Sequence, residues 1–159
     1  MENDFANNAR SVIANNVYLC LATTSDSQPW ISPVYYDFDE DFSFYFVSTL
    51  DSLHVQNMLA NPRVAVAIYD STQPTHTGIG VQIEGIASMV KEDEIPRVIE
   101  LLYKRSFPAN ADQSQDDLSP TDFLGESIFK LFKIVPQHIY TRDTRISDVD
   151  HRIEVKLTQ

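Results

Sequence analysis

Ser52 and His54 are the residues best placed to do chemistry in this chain. They follow an aromatic and β-branched run, Ser43 to Ser48 (SFYFVS), that fits a half-buried strand. Leu53, Gln56, Asn57 and Leu59 come next at helical spacing. Asp51 and Ser52 are N-cap residue types, whose side-chain oxygens accept the open amides of a first helical turn. Asn61-Pro62 ends that helix, because a residue before proline is pushed out of the α region. Arg63 to Tyr69 (RVAVAIY) then begins another strand. A helix N-terminus at the end of a strand presents unpaired N–H groups and partial positive charge, so the chemistry on offer is anion binding, above all of a phosphate. Local physics alone favours a simpler account, an ordinary capped helix with no ligand.

The other reactive residue types offer less. His54, His76, His138 and His151 are far apart and lack the paired spacing of a zinc site. Asp37, Asp39, Glu40 and Asp41 read as a solvated turn rather than an acid–base pair. GIGVQIEG contains glycines but lies within a strand, so it is no nucleotide-binding loop. Cys20 is the single cysteine, which excludes an intrachain disulfide and two-cysteine metal motifs. Within VYLCLA it reads as core filling.

The 159 residues suit one domain, 1–159, with enough chain to bury a core. Twelve Lys and Arg against 23 Asp and Glu give a net charge of −11. Nucleic acid and anionic membrane surfaces are therefore not expected partners, since both need clustered cations. The opening MENDFANNAR does not read as a signal peptide, and no apolar run is long enough to span a bilayer. A cytoplasmic setting is the expectation.

These residues must be positioned by the elements around them. Asp4 to Ala14 reads as a helix with Phe5, Ala9, Val12 and Ile13 on one side. Val17 to Thr23 reads as a strand covered on both faces. Ser25 to Pro29 is a turn, and Trp30 to Phe38 a second strand, in which Pro33 marks an edge, a bulge or a missing ladder bond. With SFYFVS these strands predict an antiparallel meander. Ile79 to Val90 is a long strand in which Gly80 and Gly85 allow a bulge or close backbone approach. Lys91 to Phe107 is an amphipathic helix, 108–120 a mobile polar loop, Ser127 to Val135 a strand, and His138 to Thr141 a short further one. In the tail, IEVKL either pairs as a strand or is loose. Six or seven mostly antiparallel strands with small helices point to a mainly β fold, a closed or split barrel, with a flat sandwich as the alternative.

The order of elements from Val17 to Val90, and more loosely Phe129 to Tyr140, resembles the FMN-binding split barrel of the pyridoxamine 5'-phosphate oxidase-like superfamily. The most specific part is Ser52, His54, Asn57 and Asn61-Pro62-Arg63-Val64 between two strands. The resemblance implies a six-stranded antiparallel split barrel that forms a homodimer, with FMN in clefts between the subunits. It implies flavin contacts at Ser32, Pro33, Val34 and Tyr35, ring or ribityl contacts at Val47 and Ser48, phosphate contacts at Ser52 and His54, and a reach across the interface by Gln82. Two departures stand out. Leu53 and His54 replace the Arg and Lys of true oxidases, and WISPVYYDF lacks their strand cations. Vitamin B6 oxidation is thus not expected. The resemblance implies a flavin-dependent oxidoreductase with no assigned substrate or catalytic residue. The alternative is a non-catalytic dimer that holds flavin or haem for sensing or storage.

Overall fold

The computed structural model describes residues 2–74, 77–104, 119–146 and 151–157. His76, the last residues of the helix expected to reach Phe107, and nearly all of the loop 108–120 lie outside that set.

Alternation of buried and open residues decides how the strands meet. In Arg63–Tyr69 the buried residues are Val64, Val66 and Ile68, and in Gly80–Met89 they include Val81, Ile83 and Ala87. Period-two burial of this kind lays one face of a sheet on a core. In chain order the strands are β1 (Tyr18–Ser25), β2 (Gln28–Tyr35), β3 (Asp37–Phe38), β4 (Phe44–Thr49), β5 (Arg63–Tyr69), β6 (Gly80–Met89), β7 (Phe129–Arg142) and β8 (Arg152–Glu154). The helices are α1 (Glu2–Asn15), α2 (Leu53–Ala60) and α3 (Ile95–Lys104). The sheet order is β2-β1-β5-β6-β7-β4-β3, with β8 on β7 and every pairing antiparallel.

That order explains the curl. β2 and β3 stand at opposite ends of the sheet, yet only Tyr36 separates them in the chain. Tyr35 and Asp37 therefore lie within about 7 Å of each other, and the two edges must meet. The result is a split barrel, as the resemblance implies. Tyr36 makes the corner. It is fully buried, donates from its hydroxyl to the Ile13 carbonyl at 2.6 Å, and donates its amide to the Val17 carbonyl at 3.1 Å.

Several expectations are corrected. Trp30 to Phe38 is two strands broken at Tyr36, not one. The meander reduces to the β1–β2 hairpin, because β4 pairs with β3 and β7 rather than with β2. Asp26 and Ser27 have φ of 48° and 64°, the two positive values that a tight type I′ turn needs, so β2 already starts at Gln28. β1 is covered on one face only: Leu19, Leu21 and Thr23 are buried, while Tyr18 is exposed and Cys20 half-buried. The two expected late strands are one strand, β7. Its register steps where Glu84 faces His138 and Gly85 faces Pro136, leaving Gln137 as a bulge. At Gly85 an added Cβ would lie 2.8 Å from Ile134 Cγ2, the close approach expected of that glycine. The tail is held: β8 pairs with β7, Val155 and Leu157 are buried, and Arg10 donates to the Leu157 carbonyl at 2.7 Å.

Among the described residues, two apolar clusters are packed. The main core lies inside the barrel and takes in Ile13 of α1 and Val55 and Met58 of α2. A smaller one under α3 packs Val98 and Ile99 on Tyr45 and Leu131, on the other face of β4 and β7. The acidic turn is not simply solvated, since Asp37 is buried and Asp39 is fully engaged. Asp39 accepts the amides of Asp41 and Ser43 and the Tyr45 hydroxyl at 2.8 Å, and Arg97 donates to that same hydroxyl at 2.7 Å. Burial and Asp39 push the Tyr45 phenol up from its ordinary range. No helix among the described residues is long and apolar enough to cross a membrane.

Candidate functional site

The start of α2 is fixed from below. Asn57 is buried and donates to Thr23 Oγ1 of β1 at 3.1 Å, while Val55 and Met58 enter the main core. Asn61 ends the helix in an extended conformation, as Pro62 requires. The helix thus begins just past the last residue of β4, with the Ser52 amide donating to the Thr49 carbonyl at 3.2 Å.

Ser52 sits at the N-cap position with extended backbone, but it makes no side-chain cap hydrogen bond. The expected cap is therefore not used, and the first-turn amides keep their donors for something else. The Ser52 hydroxyl donates backwards to the Thr49 carbonyl at 2.8 Å. Its oxygen lies 3.1 Å from Ser48 Oγ, and Ser48 Oγ lies 2.9 Å from His54 Nε2. Because the Ser52 proton is committed to Thr49, Ser48 donates to Ser52, and His54 Nε2–H donates to Ser48. This chain fixes the His54 tautomer and closes a small polar cluster at the rim of the barrel. His54 also lies against the Phe46 ring, centroids 6.3 Å apart. Burial lowers its pKa from the ordinary histidine value, so the imidazole is held neutral in the cluster.

The other expected contacts are spread over two faces. Ser48 points inward with Phe44 and Phe46, whereas Val47 is exposed on the opposite face of β4. On β2, Ser32 and Val34 share the inward face with Leu21 and Leu19 of β1, and Ser32 accepts from the Trp30 indole N–H at 3.0 Å. Pro33 and Tyr35 lie on the outward face beside Cys20 and Tyr18, with Tyr35 edge-on to Tyr18 at 5.7 Å. β2 is an edge of the sheet, where a proline costs no ladder bond. Gln82 is exposed on the outer face of β6, and β1 and β5 lie between it and β2. Within one chain the structure brings Ser48, Ser52 and His54 together, sets β2 beside α2, and leaves Gln82 apart.

Sequence reasoning missed Lys130. It is buried on β7 directly opposite Ser48, and both side chains lie on the inward face that carries the Phe46–Phe132 pair. The strand alternation of FKLFKIV held that signal, but only the β4–β7 register reveals it.

The model of the pyridoxamine 5'-phosphate oxidase family matches residues 5–138. The chain belongs to that family. The match takes in most of α1, the barrel strands through β6 and most of β7, and every residue of the Ser48–Ser52–His54 cluster. Solved structures share the fold. A heme binding protein from Mycobacterium smegmatis aligns with TM-score 0.70 and 18% identity over 95% of this chain, which spans 57% of that protein's length. HutZ, the haem storage protein from Vibrio cholerae, aligns with TM-score 0.61 and 22% identity over 82% of this chain and 89% of HutZ. An FAD-binding protein from Mesorhizobium loti aligns with TM-score 0.59 and 20% identity over 84% of this chain and 90% of its own. At these identities the likeness is one of fold. Comparison with curated proteins gives no match.

Proposed function

We propose that the protein binds FMN as a homodimer and serves as a flavin-dependent oxidoreductase. The observation that carries the reading is the uncapped start of α2, where Ser48, Ser52 and His54 converge beside open first-turn amides. This set suits a phosphate: open backbone N–H groups and an imidazole that becomes a cation beside a dianion, with Ser48 and Ser52 re-aiming their hydroxyls from Ser52 and Thr49 to the ligand. β2 would carry the ring, presenting Ser32 and Val34 on one face and Pro33 and Tyr35 on the other. Bound FMN supplies hydride and electron transfer. The chain's own residues hold the phosphate, orient the ring along the edge strand and keep water from the inward face. A second copy would cover the outer face, where Tyr18, Ile31, Tyr69 and Ile86 are exposed, and would bring its own outer-face residues, Gln82 included, to the cleft.

A second reading keeps the dimer without turnover, as a flavin or haem carrier for storage or sensing. Leu53 in place of a cation favours it, and so does His138. Its Nδ1 is held by Glu154 at 2.9 Å on the outer face, which leaves Nε2 as the nitrogen that would hold an iron. An ultraviolet–visible spectrum with added FMN or haem separates the readings. Two flavin bands that bleach with reduced nicotinamide support the oxidoreductase, and flavin bands without turnover support the carrier. A Soret band lost in His138→Ala moves the assignment to haem. No bound chromophore sinks both.

A further inference from the structure

Resting on the phosphate reading above, we propose that Lys130 is the fixed cation of the anion site and takes the place of the cations absent from the turn Ser52–His54. Lys130 is nine-tenths buried at the rim of the barrel. Two of its three ammonium donors are held by the carbonyls of Phe123 at 3.1 Å and Gly125 at 2.9 Å. Among the described residues no carboxylate pairs with it. A buried ammonium with only carbonyl partners is costly, and a chain that keeps one has a use for its charge.

Its place in the fold says what that use is. Lys130 and Ser48 are direct partners in the β4–β7 register, and side chains of such a pair stand about 5 Å apart at Cβ. They share the inward face, and Ser48 is the middle member of the chain His54–Ser48–Ser52. The ammonium is tethered by the 123–125 turn at the same end of the barrel at which α2 begins, because the Leu50 amide of the β4–α2 turn donates to the Ile128 carbonyl just before β7. The resemblance places the cationic charge of such a site at the helix turn and on the strand that corresponds to β2. Here it comes from the strand across the rim, so a phosphate would lie between a helix N-terminus and a buried lysine. The third ammonium donor and the positive charge are what it meets there.

The test compares FMN with riboflavin, which has the same ring without the phosphate. Dissociation constants for both are measured by flavin fluorescence on the full chain, its Lys130→Met and Lys130→Gln variants, and His54→Ala. The preference for FMN over riboflavin is expected to fall roughly tenfold or more in both Lys130 variants, with riboflavin affinity little changed. In His54→Ala a preference is expected to persist, because the lysine and the open amides of α2 remain. If the Lys130 variants melt at lower temperature yet keep the wild-type ratio, the lysine serves the 123–125 turn alone and the proposal is wrong. Loss of all preference in His54→Ala also overturns it. Equal binding of FMN and riboflavin by the wild type removes the phosphate site but not the flavin, and binding of neither removes the flavin reading itself.

Discussion

His54 is neutral when the cluster is empty, because burial lowers its pKa, and a phosphate beside it reverses that preference. Binding of FMN should therefore take up a proton. The sign follows from the two states. The empty site has the lower pKa and the filled site the higher one. The histidine contribution to affinity is complete below the empty-site pKa, itself below 6.5, and is lost as pH rises through the filled-site pKa. A charge-assisted hydrogen bond from His54 contributes about 1.5–3 kcal/mol, and a neutral one about 1 kcal/mol. His54→Ala should accordingly weaken FMN roughly tenfold to a hundredfold at about pH 6 and only about fivefold at about pH 9. FMN's own phosphate titrates near pH 6 and acts in the opposite direction. The quantity to follow is thus the ratio of the variant's dissociation constant to that of the wild type, measured by fluorescence across the pH range, since the ligand's titration cancels in it. A flat ratio, or a variant that binds as tightly as the wild type at every pH, would refute a phosphate contact at His54.

Four further outcomes are expected. Asn57→Leu removes the buried bond to Thr23 and strands its hydroxyl, costing about 1–3 kcal/mol, which calorimetry should read as a melting point lower by about 2–4 °C per kcal/mol. Gly85→Ala places a methyl 2.8 Å from Ile134 Cγ2 and 3.1 Å from the Val135 carbonyl, and overpacking there should cost about 1–3 kcal/mol by urea unfolding. The Arg145 guanidinium, through its hydrogen bonds, holds the Asp143 carboxyl at about 2, so its contribution to stability is present above the ordinary carboxylate range and fades as pH falls toward about 2; a carboxyl NMR titration should find that value, and Arg145→Ala should move it back up. Ile31→Asp and Ile86→Asp, both on the outer face, should convert a dimer to a monomer in size-exclusion chromatography and weaken flavin binding with it; an unchanged elution volume would rule that face out as the interface.

How legible the molecule was depends on the range of the contacts involved. Ser48, Ser52 and His54 lie within one strand end and one turn, so their convergence is local and the residue pattern exposes it. The strands themselves follow from period-two burial in RVAVAIY and VQIEGIA. Pairing partners are a different matter. SFYFVS carries no mark that it joins FKLFKIV rather than the preceding strand, because register is set by closure of the whole barrel. Nothing in WISPVYYDF distinguishes Tyr36 from Tyr35, although one turns the corner and the other faces outward. VYLCLAT is apolar throughout, yet only Leu19, Leu21 and Thr23 are buried, since an apolar run does not say which face a single chain covers. Lys130 was hidden for the same reason as the register. Its neighbour Ser48 is assigned by the sheet, not by sequence distance.

The corner at Tyr36 has a mechanical consequence. The strand that would bear the flavin ring, β2, and the strand that ends at the Ser48–Ser52–His54 cluster, β4, are joined by a stretch with two bends, the corner at Tyr36 and the turn 39–43 closed by Asp39. Swinging β2 away from β3 means levering the Tyr36 hydroxyl off α1, so the spacing of the proposed ring and phosphate walls would rest in part on a wedge in the core rather than on the ligand alone.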